Sequence, residues 1–171
     1  MRLFIALELP ENVILHLENW KNSMCREYSF LKWTNTQNLH ITLRFLGNVN
    51  PDSTTEQMTL LNLGRFLPVA FQLDRSGTFG RPPSVLWVGG RFPKGLDEAA
   101  LLLGDIRDER GLCLGKPFIP HVTMARAKRG YSVPEVRFSK SISGEASVIS
   151  LVSSTLTPSG PVYRTLFSVG L

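Results

Sequence analysis

Two short stretches, "LHITLRFLG" at 39–47 and "IPHVTMAR" at 119–126, each carry a histidine followed two residues on by a threonine. On a β-strand, side chains alternate between faces, so His40 and Thr42 share one face while Ile41 and Leu43 turn to the other, into a core. His121 and Thr123 repeat the pattern, with Val122 and Met124 as the core pair. Each strand then offers one imidazole, which exchanges protons near neutral pH, and one hydroxyl. Across a shared cleft that set suits in-line cleavage of a cyclic phosphodiester, in which the attacking oxygen loses a proton and the leaving oxygen gains one on opposite sides of phosphorus. One histidine serves as base and the other as acid, each contributing roughly 10²- to 10⁴-fold. The hydroxyls of Thr42 and Thr123, with Arg126, would hold the equatorial oxygens as charge builds. Threonine makes up 11 of 171 residues, so its presence after two of the three histidines is a coincidence on the order of 1%.

A metal is neither required nor expected. Two histidines are too few ligands, and neither has an H-x-H or carboxylate companion in sequence. Cys25 and Cys113 are isolated, with no C-x-x-C, which gives no support to a disulfide framework or a cysteine-rich zinc site and makes a reducing cytoplasm the expected location. The opening "MRLFIALE" is too short an apolar run for a secretory signal, and no stretch approaches a membrane span.

The elements that must hold the motifs follow from periodicity. Residues 2–8 read as a strand, and "PENVILHLENWKNSMCREY" places Val13, Ile14, Leu17, Trp20 and Met24 at helical spacing. His16 lies on that helix without a following threonine and reads as a surface or boundary residue. "LKWT" and "LHITLRFLG" read as two strands around the turn "NTQN". A helical pattern from about 51 to 66 and strands near 69–74 and 84–89 follow. "KGLDEAALLLGDIRDERG" predicts a helix with an acidic first turn that stops at Gly111. Then come the strand "FIPHVTMARAK", a basic turn at Gly130, and a closing hairpin of "SVISLVSSTL" and "VYRTLFSVGL" around "TPSG". The motifs stand 81 residues apart, near half the chain, which implies two similar α+β lobes facing each other, with no low-complexity linker to split the chain.

The chain has 19 Lys and Arg against 14 Asp and Glu, a net charge of +5, which points to an anionic partner such as a phosphate ester or RNA. Arg44 follows the first motif and Arg126, Lys128 and Arg129 the second; Lys128 and Arg129 read as a solvated strand end.

In these motifs the chain resembles the two-histidine (2H) phosphoesterase superfamily, and within it the RNA 2′,3′-cyclic phosphodiesterases, long labelled 2′-5′ RNA ligases. "MRLFIALELP" resembles the family's opening strand, "LKWTNTQNLHITLRFLGNV" its first HxTx motif, "RPPSVLWVG" a middle strand, "KPFIPHVTMAR" its second motif, and "STLTPSGPVYRTL" its closing hairpin. The resemblance implies an α+β fold in which residues 1–171 form a single bilobal domain. Its two pseudo-symmetric lobes would each be an antiparallel sheet with helices on its outer face, around a central cleft. It implies a hydrolase without metal or cofactor that converts 2′,3′-cyclic phosphates of RNA 3′ ends or nucleotides to 2′-phosphomonoesters; a monomer is expected. His40 would be the proton donor to the leaving 3′ oxygen and His121 the acceptor that activates water. Arg126 matches a phosphate-contacting arginine, and Phe45 a position that stacks on a nucleobase. Strict alternation turns both away from the histidines unless the strand bends or ends there, and would make Phe45 a core residue. Two other readings use the same residues: an RNA-binding module whose histidines only grip phosphate, and a 2′-5′ ligase running the reverse reaction.

Overall fold

A computed structural model describes residues 1–110 and 117–171; Gly111 and Cys113 lie outside the described residues. Among the described residues, nine strands and three helices follow in the order β1 (Arg2–Glu8), α1 (Glu11–Met24), β2 (Leu31–Trp33), β3 (His40–Gly47), α2 (Pro51–Leu60), β4 (Val69–Phe79), β5 (Val85–Arg91), α3 (Lys94–Leu103), β6 (His121–Ala127), β7 (Ile142–Ala146), β8 (Val148–Thr157) and β9 (Gly160–Gly170). The strands form one antiparallel sheet in the order β7-β4-β5-β6-β3-β1-β8-β9, with β2 also on β6. Four strands of that order lie on each side of the seam between β6 and β3, where Ile41 pairs with Val122. This α+β architecture has two antiparallel lobes that meet at a narrow join.

The helices cover the rear of the sheet. Helix α1 buries Val13, Leu17 and Trp20, and α3 buries Leu96, Ala99 and Leu103, at the spacing that lines one helical face. Both join one apolar cluster with Leu3, Ile5 and Leu7 of β1, Ile41 and Leu43 of β3, and Val122 and Met124 of β6. The helices are exchanged between lobes: α1 leaves β1 but packs on β7, and α3 leaves β5 but packs on β3. Each lobe is therefore braced by a helix that begins in the other.

Ile41, fully buried at the seam, is where a core defect would separate the lobes. Ile41→Ala is expected to cost about 2–5 kcal/mol, as for other buried large-to-small changes, measured by urea unfolding. A cost within a few tenths of a kcal/mol would mean that the seam carries little of the stability.

Several elements differ from the sequence reading. Strand β2 pairs with β6, Leu31 opposite Ala127, and not with β3 across "NTQN". Thr34 N–H continues that ladder by donating to the Met124 carbonyl (2.8 Å), so β2 and β3 occupy successive lengths of the same β6 edge, with Thr36–Asn38 looped out as a 3₁₀ turn. The pattern at 51–66 breaks at Asn62, which takes a left-handed conformation (φ 48°) before a 3₁₀ turn at Leu63–Phe66. Helix α3 ends at Gly104, before Gly111, because the chain turns to bury Ile106, and Glu109 N–H bonds the Leu46 carbonyl at the end of β3 (2.7 Å). Strand β7 has no counterpart in the sequence reading, since "ISGEA" is short and polar on alternate positions.

Candidate active site

His40, Thr42, His121 and Thr123 stand on the sheet face opposite the helices, since the intervening Ile41 and Val122 are fully buried in the core. Antiparallel pairing of Ile41 with Val122 sets Thr42 across from His121 and His40 across from Thr123. The seam between lobes is thus the place where the two motifs meet.

Both motif strands carry a bulge at the apolar residue after the threonine. On β3, Ala6 pairs with Thr42 and Ile5 with Arg44, which leaves Leu43 as the extra residue. On β6, Trp87 pairs with Thr123 and Leu86 with Ala125, which leaves Met124 as the extra residue. A bulge places two consecutive residues on one side and shifts the phase beyond it. Met124 and Ala125 are accordingly both buried, and Arg44, following buried Leu43, donates to the Ile106 carbonyl at 3.1 Å. The shifted phase brings Phe45 and Arg126 onto the histidine face, contrary to strict alternation. Phe45 is not core: it is 69% exposed, and its ring lies 6.2 Å from that of Phe4, which in turn packs 4.9 Å from the His40 ring. Arg126 lies close enough to act electrostatically on both histidines and on Tyr163.

The imidazoles are held alike. His40 Nδ1 lies 2.7 Å from the Asn38 carbonyl and His121 Nδ1 2.7 Å from the Ile119 carbonyl, in each case two residues back. A carbonyl can only accept, so Nδ1 carries the proton on both rings and, in the neutral form, Nε2 is the bare nitrogen. His40 Nε2 lies 2.8 Å from Thr42 Oγ1. The Asn38 side chain, itself buried, donates to the Pro161 carbonyl (2.9 Å) and ties this arrangement to the closing hairpin. Across the seam Thr34 Oγ1 donates to the Thr123 carbonyl at 2.9 Å, which pins β6 beside its bulge.

Aromatic rings flank each imidazole: Phe4 and Tyr163 about His40, at 4.9 and 5.5 Å, and Phe79 and Trp87 about His121, at 4.8 and 6.3 Å. Partial burial among them is the largest cause lowering His40 below the ordinary histidine value; its bond to Asn38 opposes this, while the charges of His121 and Arg126 add to it. His121 is lowered by burial first and by Arg126, against its bond to Ile119. Burial raises the Tyr163 phenol, with Arg126 opposing. The site is thus a pair of neutral-leaning imidazoles beside a guanidinium, an arrangement that attracts an anion.

A cavity of about 410 Å³ flanks His40 between Glu8, Gln37, Asn38, Tyr163 and Thr165. Among the described residues no three His, Cys, Asp or Glu side chains gather as a metal-binding group. The sequence reading passed over Phe4, Phe79, Trp87 and Tyr163. Phe4 alone carried a local signal, in phase with Arg2, Ala6 and Glu8 on β1; the others reach the histidines only through strand pairing.

A family model described as LigT like Phosphoesterase matches residues 7–87. The chain is similar to the RNA 2′,3′-cyclic phosphodiesterase of Methanocaldococcus jannaschii, 30% identical over 97% of this chain and 98% of the relative. It is also similar to that of Aeropyrum pernix, 35% identical over 81% and 85%. Among solved structures, TT0787 of Thermus thermophilus superposes with a TM-score of 0.80 at 30% identity, covering 100% of this chain and 98% of that one. Escherichia coli LigT complexed with 3′-AMP superposes at 0.77 with 28% identity, covering 99% and 97%. With its paired H-x-T strands facing a seam between two antiparallel lobes, this chain belongs to the LigT-like phosphoesterases of the two-histidine superfamily, in the RNA 2′,3′-cyclic phosphodiesterase family.

Proposed function

We propose that residues 1–171 act as one bilobal, monomeric domain that hydrolyses 2′,3′-cyclic phosphates of RNA 3′ ends or nucleotides to 2′-phosphomonoesters, without metal or cofactor. The observation that carries this reading is the pair of imidazoles whose Nδ1–H groups are committed to backbone carbonyls, so that each presents Nε2 for proton exchange. His121, the less enclosed of the two, takes a proton from water as it attacks phosphorus. His40, protonated at Nε2, gives its proton to the leaving 3′ oxygen. The hydroxyls of Thr42 and Thr123 and the Arg126 guanidinium hold the non-bridging oxygens, whose charge grows in the transition state. Phe45, exposed beside Phe4, stacks on the terminal base; such stacking contributes roughly 1–3 kcal/mol per base. The names of its relatives and the net charge of +5 support an RNA substrate.

The test is product analysis with adenosine 2′,3′-cyclic phosphate. Chromatography is expected to show adenosine 2′-phosphate as product, at a rate unaffected by a chelator such as EDTA. A 3′-phosphate product would reverse the choice of leaving oxygen and with it the donor role of His40. Activity lost on chelation and restored only by a divalent ion would overturn the metal-free reading, and binding without turnover would reduce the site to a phosphate grip.

A further inference from the structure

Beyond the histidines, the site face of β1 is polarised along its length. Arg2, Phe4, Ala6 and Glu8 alternate with buried Leu3, Ile5 and Leu7, so a cation stands at one end and an anion at the other. The cavity beside His40 is closed at the anionic end by Glu8, whose carboxylate accepts from Ser150 Oγ, itself 2.8 Å from Ser168 Oγ. On the other side of Phe4 and Tyr163 a second cavity, of about 340 Å³, opens between Arg2, Phe45, Arg110 and Ser154. Two acids also line it, and both are engaged. Asp108 Oδ1 accepts from Arg110 N–H (2.9 Å) and Oδ2 lies 3.4 Å from Arg110 Nη2, while Glu109 Oε2 accepts from Asn48 N–H at 2.9 Å and its side chain lies over Gly47. The Arg110 side chain lines the cavity and is 60% exposed, and among the described residues its side-chain contact is the 3.4 Å one to Asp108, which engages one of its five donors. Arg2 is exposed, one alternation beyond Phe4 along the strand, about 7 Å.

On the reading of the site given above, the terminal nucleotide of an RNA 3′ end has its cyclic phosphate at the histidines and its base on Phe45. Along β1 the strand has two directions in which to leave. Toward Glu8 its next phosphate would meet a carboxylate with no lysine or arginine in that cavity's lining; over Phe45 it meets two guanidiniums that offset the two engaged carboxylates there. We infer that the second cavity is an upstream subsite in which Arg2 and Arg110 bind the phosphodiester 5′ to the terminal nucleotide, so that the enzyme prefers an RNA strand end to a free cyclic mononucleotide.

The test compares kcat/KM for adenylyl-adenosine ending in a 2′,3′-cyclic phosphate with that for adenosine 2′,3′-cyclic phosphate. The wild-type ratio is expected to lie well above one and to fall about tenfold in the double variant Arg2→Gln/Arg110→Gln. The logarithm of dinucleotide affinity should also fall more steeply with log salt than that of the mononucleotide, by roughly 0.7 for the one added phosphate, and the variant should abolish that excess. A wild-type ratio near one, or a ratio unmoved in the variant, overturns the subsite while leaving the cyclic phosphodiesterase reading intact. Failure to hydrolyse either substrate overturns that reading instead. Calorimetric titration with the two 2′-phosphate products, which needs no turnover, would then decide the subsite by the same ratio.

Discussion

Replacing His40 or His121 by alanine is expected to lower turnover of a 2′,3′-cyclic phosphate by roughly 10²- to 10⁴-fold each, with the double variant little worse than either single one. In the displacement proposed above both imidazoles act in one event and in opposite protonation states, so removing either would already forfeit the coupled transfer. Each ring stands on the sheet face opposite the helices, with its Nδ1 on a local carbonyl and the main core behind the strand. Truncation therefore removes chemistry more than stability, and unfolding midpoints should move far less than rates. His16, exposed on α1, supplies the control: His16→Ala should be close to silent. Either site variant retaining near-normal hydrolysis while folded would sink the two-imidazole mechanism.

Arg126→Gln is expected to lower kcat by roughly 10²- to 10³-fold, the usual loss when a donor to developing charge is removed. It should also displace the pH profile in a defined direction. Arg126 lowers both histidines, so its removal raises both and moves the two limbs of the bell-shaped kcat/KM profile to higher pH. That displacement is small, because burial is the larger cause for each ring. In the wild-type protein, with both histidines below their ordinary value of about 6.5, kcat/KM should peak on the acid side of that value. A bound phosphodiester opposes Arg126, so the kcat profile should lie at higher pH than that of kcat/KM. A higher KM with unchanged kcat in Arg126→Gln would show that the guanidinium binds ground and transition states equally. An unshifted profile would place its charge too far from the rings to matter.

Much of the frame could be read locally. The period-two pattern around His40 and His121 settles which neighbours enter the core, the helical spacing of Val13, Leu17 and Trp20 marks the buried side of α1, and the Gly160 turn closes the last hairpin. These properties depend on residues a few positions apart. The bulges at Leu43 and Met124 do not, because an extra residue on one strand exists only relative to the strand opposite it. For that reason Phe45 and Arg126, which alternation turns away from the histidines, reach their face only once β3 is laid on β1 and β6 on β5. The same holds for β2, whose partner lies beyond α3, and for the end of α3, where burial of Ile106 and the bond from Glu109 to Leu46 overrode a helical pattern running on toward Gly111. Tyr163, Phe79 and Trp87 come to flank the imidazoles through pairings of residues distant in the chain. By itself the sequence determined the two H-x-T strands and the faces they present; tertiary structure decided which aromatics and which cation share that face, since phase within a strand is local and register between strands is not.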